Sequence, residues 1–215
     1  MSTTRIDLIR HGEPEGGNVF RGRIDPALTA TGEWQFRQRL TRFAAPWQRI
    51  ISSPLQRCAG SAAWLAAQRG IPLQLDEQWI EIDYGEWENR PVSEVLAEDS
   101  ETARRLWADP LNFCAPGGES VAQLMGRVAA GWESLLQQYA GEHILLVSHG
   151  GVLRILAQQL LCLAPQAMNR LALPYAGFMR FRADLSDDDG HPRHWITLEA
   201  MDGSELIPQN REEER

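Results

Sequence analysis

The stretch Ile6-Asp7-Leu8-Ile9-Arg10-His11-Gly12-Glu13 decides the fold. Its first four residues form a short, mostly apolar run, which is typical of a strand buried in a sheet. The run ends at Arg-His-Gly, so a cation, an imidazole and a flexible backbone follow the strand. In open α/β sheets, ligands bind at the carboxyl edge of the strands. The stretch therefore predicts a strand and, directly after it, a site.

A second segment near the other end of the chain repeats this arrangement. Residues 144–147 read Ile-Leu-Leu-Val, and Ser148-His149-Gly150-Gly151 follows them. Again an apolar run ends at a histidine that precedes glycine. Two strand-end histidines of this kind predict one site that is built from two distant segments of the chain.

Strand-like and helix-like patterns alternate along the rest of the sequence. Thr29 predicts a helix N-cap, Ser53-Pro54 is a good helix opening, and Gly70 is a typical helix end. This alternation predicts an α/β fold in which helices cover a mostly parallel sheet. The predicted helices are 29–43, 54–68, 92–108, 120–139 and 152–163, and the predicted strands or extended segments are 49–52, 72–75, 79–84 and a hairpin of 177–185 with 194–199.

Length and composition predict a single domain. The chain has 215 residues, of which 43% are hydrophobic and 23% charged, as in ordinary globular proteins. We expect one domain over residues 1–207 and a polar, frayed tail over 208–215. No apolar run reaches the roughly 18 residues of a membrane span, and residues 1–5 lack the apolar stretch of a secretory signal. The sequence therefore predicts a cytoplasmic protein with no membrane partner.

Charge and cysteine usage argue against several kinds of site. The formal net charge of −8 argues against a nucleic-acid-binding surface. All 21 basic residues are arginine, so any anion site here must use guanidinium groups, which bind phosphate or carboxylate through two hydrogen bonds. Cys58, Cys114 and Cys162 are widely spaced, which favours neither a disulfide scaffold nor a zinc site.

Among the strand-end residues, His11 has the chemistry of a nucleophile. A neutral imidazole can attack phosphorus, and the covalent intermediate divides one difficult displacement into two easier steps. Neighbouring arginines favour the neutral form by charge repulsion. Arg57 follows a third strand end, in the first turn of a helix whose free N–H groups attract anions. With Arg10 and His149, these two residues would form a cationic cup suited to phosphoryl transfer.

A leaving alkoxide needs a proton, and Glu81 is the best candidate for the acid. It lies in Trp79-Ile80-Glu81-Ile82-Asp83-Tyr84-Gly85, where the flanking isoleucines predict partial desolvation and a raised pKa. Asp83 and Glu86 lie close by in the sequence. The local pattern leaves both of them open as alternatives.

Six segments, in order along the chain, resemble the histidine phosphatase superfamily, the phosphoglycerate-mutase-like phosphatases. The resemblance spans roughly residues 5–155. One RHG triplet would be weak evidence, whereas six ordered segments are strong. The segments are LIRHGE (8–13), GRIDPALTATG (22–32), SSPLQRC (52–58), EIDYGEWEN (81–89), GGES (117–120) and VSHGGVLR (147–154).

The resemblance implies a three-layer α/β/α fold and a role for each matched residue. His11 would be the phosphorylated nucleophile and Glu81 the proton donor. Arg10, Arg57 and His149 would form the phosphate pocket, with the backbone N–H of Gly150. No metal and no cofactor is implied, because arginine cations take the place of a metal. The implied partner is a small-molecule phosphomonoester, and a homodimer stays open.

Two segments, VFRGRIDPALT and EIDYGEWEN, are most similar to the alpha-ribazole phosphatase branch of this family. That similarity implies alpha-ribazole 5′-phosphate as the substrate, within cobalamin nucleotide-loop assembly. Arg21 and Gly22 fall in the first of these segments and are predicted to contact the substrate. Arg21 and Arg23 could equally lie on a solvated face.

The loop after the first motif departs from the family pattern in two ways. Members commonly have threonine or serine after RHGE, where this chain has Pro14, and an asparagine six residues after the histidine. Here Asn18 stands seven residues after His11, with Gly16-Gly17 between them. We interpret the loop as holding one extra glycine, which predicts that Asn18 remains in the site.

Other functions fit the sequence less well. Phosphoglycerate mutases of this family usually carry longer insertions and basic lid segments, which this chain lacks. A broad-specificity or sugar-phosphate phosphatase stays open. A relative that binds phosphoryl ligands without turnover is disfavoured, because the implied catalytic set is intact. A serine hydrolase is disfavoured because Leu146 stands where the G-x-S-x-G motif has its first glycine.

Overall fold

Residues 2–188 and 191–208 are described by a computed structural model, in which strands and helices alternate around one sheet. The strands are β1 (Thr3–Arg10), β2 (Arg49–Ser52), β3 (Leu73–Leu75), β4 (His143–Ser148), β5 (Phe178–Asp188) and β6 (His191–Asp202). The helices are α1 (Ala30–Arg42), α2 (Gln56–Arg69), α3 (Val92–Glu98), α4 (Ser100–Ala108), α5 (Val121–Gln138) and α6 (Gly150–Leu160). Short 3₁₀ turns lie at Glu77–Trp79, Gly85–Trp87, Pro110–Asn112 and Pro165–Arg170.

The sheet has the strand order β3-β2-β4-β1-β5-β6. Strands β3, β2, β4 and β1 are parallel, and β5 and β6 are antiparallel at one edge. This confirms the predicted α/β fold with a mostly parallel sheet. In the central β1–β4 pair, Arg10 lies opposite Ser148. His11 and His149 therefore leave the same edge of the sheet side by side.

Helices cover both faces of this sheet, which gives the three layers that the family resemblance implies. On one face, Phe36 of α1 packs in the same buried cluster as Ile9 of β1. On the other, Val128 of α5 and Leu153 of α6 cluster with Leu8. Successive strand side chains point to opposite faces, so β1 contributes to both cores. Each such side chain, once fully buried, contributes about 1.5–3 kcal/mol to folding.

Local signals in the sequence set several helix ends. The hydroxyl of Thr29 accepts a hydrogen bond from the N–H of Gly32 at 3.0 Å, which caps α1 as predicted. Gly70 ends α2 with φ = 63°, in the left-handed region that glycine favours. Ser120 and Gln123 form a reciprocal capping box at the start of α5.

One predicted extended segment is wrong, because residues 79–84 form a 3₁₀ turn end and a loop without strand pairing. The isoleucines are typical of a strand, but carboxylate side chains accept hydrogen bonds from the backbone N–H groups of this segment. Ile82 N–H donates to Glu81, Asp83 N–H to Glu119, and Tyr84 N–H to Glu88. Residues 92–108 are likewise two helices rather than one, separated at Asp99.

Two predictions fall partly outside the described residues. The tail at 208–215 is described only at Pro208, and two residues of the predicted hairpin turn, 189 and 190, are also outside. The single-domain boundary at residue 207 stays a prediction. Within the described ranges, no helix has the length and apolar character needed to cross a membrane.

Candidate active site

The strand-end glycine allows β1 to deliver His11 into a packed environment. A Cβ atom at Gly12 would lie 1.9 Å from the carbonyl oxygen of Gly32. Only glycine lets the chain after β1 lie directly on the first turn of α1. The backbone N–H of His11 donates to the carbonyl of Ser148 at 3.0 Å, so the β1–β4 pairing continues into the site.

His11 is held as a neutral imidazole with one free nitrogen. Its Nδ1 lies 2.7 Å from the carbonyl oxygen of Gly12, which can only accept, so Nδ1 carries the proton. Burial lowers the pKa of His11 well below its usual value, and the nearby charges of Arg10 and Arg57 lower it further. At neutral pH the lone pair on Nε2 is therefore available for attack on phosphorus.

His149 lies beside His11, with the two ring centroids 5.2 Å apart. Its Nδ1 accepts from the Nε–H of Arg57 at 3.2 Å, so Nε2 carries the proton and donates to the hydroxyl of Ser53 at 2.7 Å. Burial is again the largest cause that keeps the pKa of His149 well below its usual value, followed by Arg57. The second histidine is therefore neutral and fixed in orientation by two partners.

Arg57 is placed behind the two histidines by the first turn of α2. Its Nη1–H and Nη2–H donate to the carbonyl oxygens of Ile24 and Gly22, each at 2.7 Å. The side chain is only 1% exposed, and burial lowers its pKa. Arg57 thus connects the loop of the GRID segment to His149. Gly22 takes part through its backbone, and a Cβ there would lie 2.0 Å from the carbonyl oxygen of Ile82.

The carboxylate of Glu81 faces the start of α6. One oxygen accepts from the backbone N–H of Ile82 at 3.0 Å and the other from the N–H of Gly151 at 3.1 Å. A Cβ atom at position 151 would lie 2.5 Å from the Glu81 Oε1 atom. The second glycine of the Ser-His-Gly-Gly segment therefore makes room for this carboxylate. Asp83 and Glu86, the alternative acids, do not line the cavity described next.

A cavity of about 280 Å³ opens over His11 and Glu81. Among the arginines of the predicted site, Arg10 and Arg21 line it, whereas Arg57 does not. Arg154 of α6 lines it as well. Apolar side chains also line it, and these include Phe20, Tyr84, Val92, Leu106, Val121, Leu124, Ile155 and Met168. The cavity thus combines cationic and apolar lining residues with the imidazole of His11.

The loop with the extra glycine reaches the cavity. Gly16 and Gly17 both have positive φ, at 91° and 68°, and Asn18 lies on the cavity wall. Arg21 folds back over this loop, donating to the carbonyls of Glu15 and Gly17 at 2.9 and 2.8 Å. The structure thus brings Asn18 and Arg21 to the site. Arg23, in contrast, points to Glu119 at 3.5 Å and does not line the cavity.

Sequence reasoning missed Tyr175, which lies between α6 and β5. Its ring centroid is 5.9 Å from that of His11, and the Arg10 guanidinium carbon is 4.4 Å from the same centroid. The next residue, Ala176, has φ = 54°. Ala176 is held by donation of its N–H to the His11 carbonyl and by acceptance from the Nε–H of Arg39. Nothing in the sequence around residue 175 indicates this position, because it depends on the contacts of Ala176 with His11 and Arg39, which are distant in the sequence.

Arg154 was also missed, although the segment VSHGGVLR contains it. It lies four residues after Gly150 on α6, and helical residues at this spacing share one face. The helical pattern after the second histidine could therefore have placed it at the site.

Comparison with protein-family models decides the identity. Residues 6–193 match the model of the histidine phosphatase superfamily (branch 1). The chain belongs to the histidine phosphatase superfamily. This membership confirms the resemblance carried by the six segments.

Relatives of this chain are named for different activities. The chain is 31% identical over 205 residues to the Probable phosphoglycerate mutase GpmB of Yersinia enterocolitica, covering 94% of both chains. It is 32% identical over 181 residues to the Bifunctional protein Rv2228c of Mycobacterium tuberculosis, covering 80% of this chain and 48% of that one. The chain thus spans about half the length of that curated relative.

Solved structures share the fold of this histidine phosphatase. The alpha-ribazole phosphatase from Shigella flexneri superposes with a TM-score of 0.77 at 23% identity, covering 95% of this chain and 100% of that one. The mycobacterial glucosyl-3-phosphoglycerate phosphatase Rv2419c superposes with a TM-score of 0.79 at 22% identity, covering 91% and 98%. At these identities the likeness is one of fold.

Proposed function

We propose that this histidine phosphatase hydrolyses phosphomonoesters through a phosphohistidine at His11. The observation that carries the proposal is the state of that residue. Its Nδ1 proton is bound to the Gly12 carbonyl, its pKa is lowered by burial and by two arginines, and it opens onto the cavity. This is the arrangement that a nitrogen nucleophile needs at neutral pH.

The reaction proceeds in two displacements. Nε2 of His11 attacks phosphorus while the P–O bond of the ester breaks, and Glu81 gives its proton to the departing alkoxide. Glu81 then takes a proton from water, whose oxygen attacks the phosphohistidine and releases inorganic phosphate and neutral His11. Arg10 supplies positive charge and the N–H of Gly150 a hydrogen bond to the phosphoryl oxygens, whereas Arg57, which does not line the cavity, acts through its hydrogen bond to His149.

For the substrate we propose alpha-ribazole 5′-phosphate, in the cytoplasm. The apolar lining of the cavity supports it, since the aromatic base of this nucleotide would bury its surface there. The similarity of two sequence segments to alpha-ribazole phosphatases supports it as well. The second candidate is phosphoglycerate mutase activity, which the GpmB relative favours.

The first experiment replaces the nucleophile. His11→Ala should abolish phosphate release from every phosphomonoester, whereas His194→Ala, an exposed histidine on β6, should retain full turnover. Retention of a few per cent of activity by His11→Ala would refute the covalent mechanism.

A substrate panel then separates the two candidate activities. Phosphate release is measured with alpha-ribazole 5′-phosphate, sugar phosphates and 3-phosphoglycerate, with and without 2,3-bisphosphoglycerate. We expect the highest kcat/KM for alpha-ribazole 5′-phosphate. Interconversion of phosphoglycerates without phosphate release would establish the mutase instead.

A further inference from the structure

Arg154 is a partly buried cation on the cavity wall. Burial lowers its pKa, and the nearby charge of Glu81 partly offsets this effect without forming a direct ion pair. The Nε–H of Arg154 donates to the carbonyl of Leu171 at 3.2 Å. Within the described ranges, no Asp or Glu lies within 4.0 Å of its nitrogens. A guanidinium has five N–H donors, and in the described part of the chain the Nε–H makes the hydrogen bond of Arg154, so both Nη groups are left for a ligand.

Arg154 converges with Arg10 at a single point over Gly150. A Cβ atom at Gly150 would lie 3.2 Å from Cζ of Arg10 and 3.3 Å from Nη1 of Arg154. Glycine thus lets both guanidinium groups approach the start of α6. Arg10 also lacks a carboxylate partner in the described residues, and its buried Nε has no hydrogen-bond acceptor there.

Two neighbouring cations out of water repel one another, and an anion between them removes that penalty. Burial is the largest cause that lowers the pKa of Arg10, and the charge of Arg154 lowers it further, whereas the carboxylate of Glu81 offsets part of this effect. The positive end of α6 and the free N–H groups of its first turn favour an anion at the same point. The positive charges of Arg10 and Arg154 and the start of α6 therefore favour the binding of an anion next to His11.

We infer that Arg154 is a further catalytic residue, which binds a phosphoryl oxygen together with Arg10. Arg57, the arginine that the sequence pattern favours, uses three of its nitrogens on Gly22, Ile24 and His149. Arg154 instead supplies its free Nη groups to the oxygen that faces the cavity. In the phosphohistidine state this pairing balances the charge of the bound phosphoryl group. The inference rests on the proposed reaction at His11.

Orthophosphate is the probe that tests this role, because it has the phosphoryl oxygens and no leaving group. Isothermal titration at constant ionic strength compares the native enzyme with Arg154→Met and Arg154→Gln. We expect the Kd of orthophosphate to rise about 10- to 100-fold in both variants, which is the effect of losing one charge-assisted hydrogen bond. Arg154→Lys should recover part of the loss, because it restores the charge but not the fork.

The matched control is Arg104→Met, which removes an exposed arginine from α4. It should leave the Kd unchanged. A Kd within about twofold of the native value in Arg154→Gln, with an unchanged circular dichroism spectrum, would overturn the inference. That result would assign Arg154 to the leaving group or to structure alone. Because orthophosphate binding needs no turnover, it stays informative even if His11→Ala refutes the covalent mechanism.

Discussion

His11 makes the stability of the protein depend on pH in a calculable way. An unfolded histidine titrates near pH 6.5, whereas burial and two arginines hold the folded pKa well below that value. Below about pH 6.5 the unfolded chain therefore binds a proton at His11 that the folded chain does not bind, and the free energy of unfolding falls as the pH drops. Between pH 7.5 and 5.5 this linkage removes about 1.4 kcal/mol of unfolding free energy for one such histidine.

A variant that cannot titrate isolates this effect. Urea unfolding of the native protein and of His11→Asn is followed at pH 7.5, 6.5 and 5.5, and the difference between the two free energies is compared. We expect the variant to gain about 1.4 kcal/mol relative to the native protein between the highest and lowest pH. The control His194→Asn removes an exposed side chain and should gain nothing. A pH-independent difference for His11→Asn would refute a neutral, buried nucleophile.

Two further predictions concern the acid. Glu81→Gln should slow the hydrolysis of alkyl phosphates about 100- to 10,000-fold, because their alkoxides need a proton. It should slow the hydrolysis of p-nitrophenyl phosphate far less. Equal losses of kcat for both esters in a steady-state assay would exclude Glu81 as the proton donor. Gly151→Ala places a methyl group 2.5 Å from Glu81 Oε1 and should lower kcat for alkyl phosphates in the same selective way. The control is Gly126→Ala on α5, where a Cβ meets no atom within 4 Å; it should leave kcat unchanged and raise the free energy of unfolding by about 0.5–1 kcal/mol. An unchanged kcat in Gly151→Ala would show that the carboxylate position tolerates the methyl group.

Local patterns predict the fold and the nucleophile end of the site well. Two apolar runs that each end at a histidine and a glycine were enough to place His11 and His149 together, because parallel neighbours share one carboxyl edge. The sequence also predicts the helix ends at Thr29 and Gly70, because a hydroxyl at an N-cap and a glycine at a C-cap act locally. Each of these features depends on residues that lie close together in the sequence.

Features that depend on contacts between distant segments could not be predicted in this way. The loop at 79–84 resembles a strand in its isoleucines, yet its N–H groups bind carboxylates, partly from other segments. Tyr175 reaches the site because Arg39 and His11 hold the residue after it. Arg154 requires the knowledge that α6 begins at Gly150 and turns this face to the cavity.

The pairing of β1 with β4 and β5 also determines when the enzyme can first act. On the ribosome His11 is made well before the Ser148 carbonyl and the Ala176 N–H that hold its backbone. Domains with such non-local pairing close their loops late in folding. A nascent or truncated chain that ends before residue 176 carries the nucleophile without its pocket. During synthesis the proposed nucleophile is therefore present before the contacts that position it.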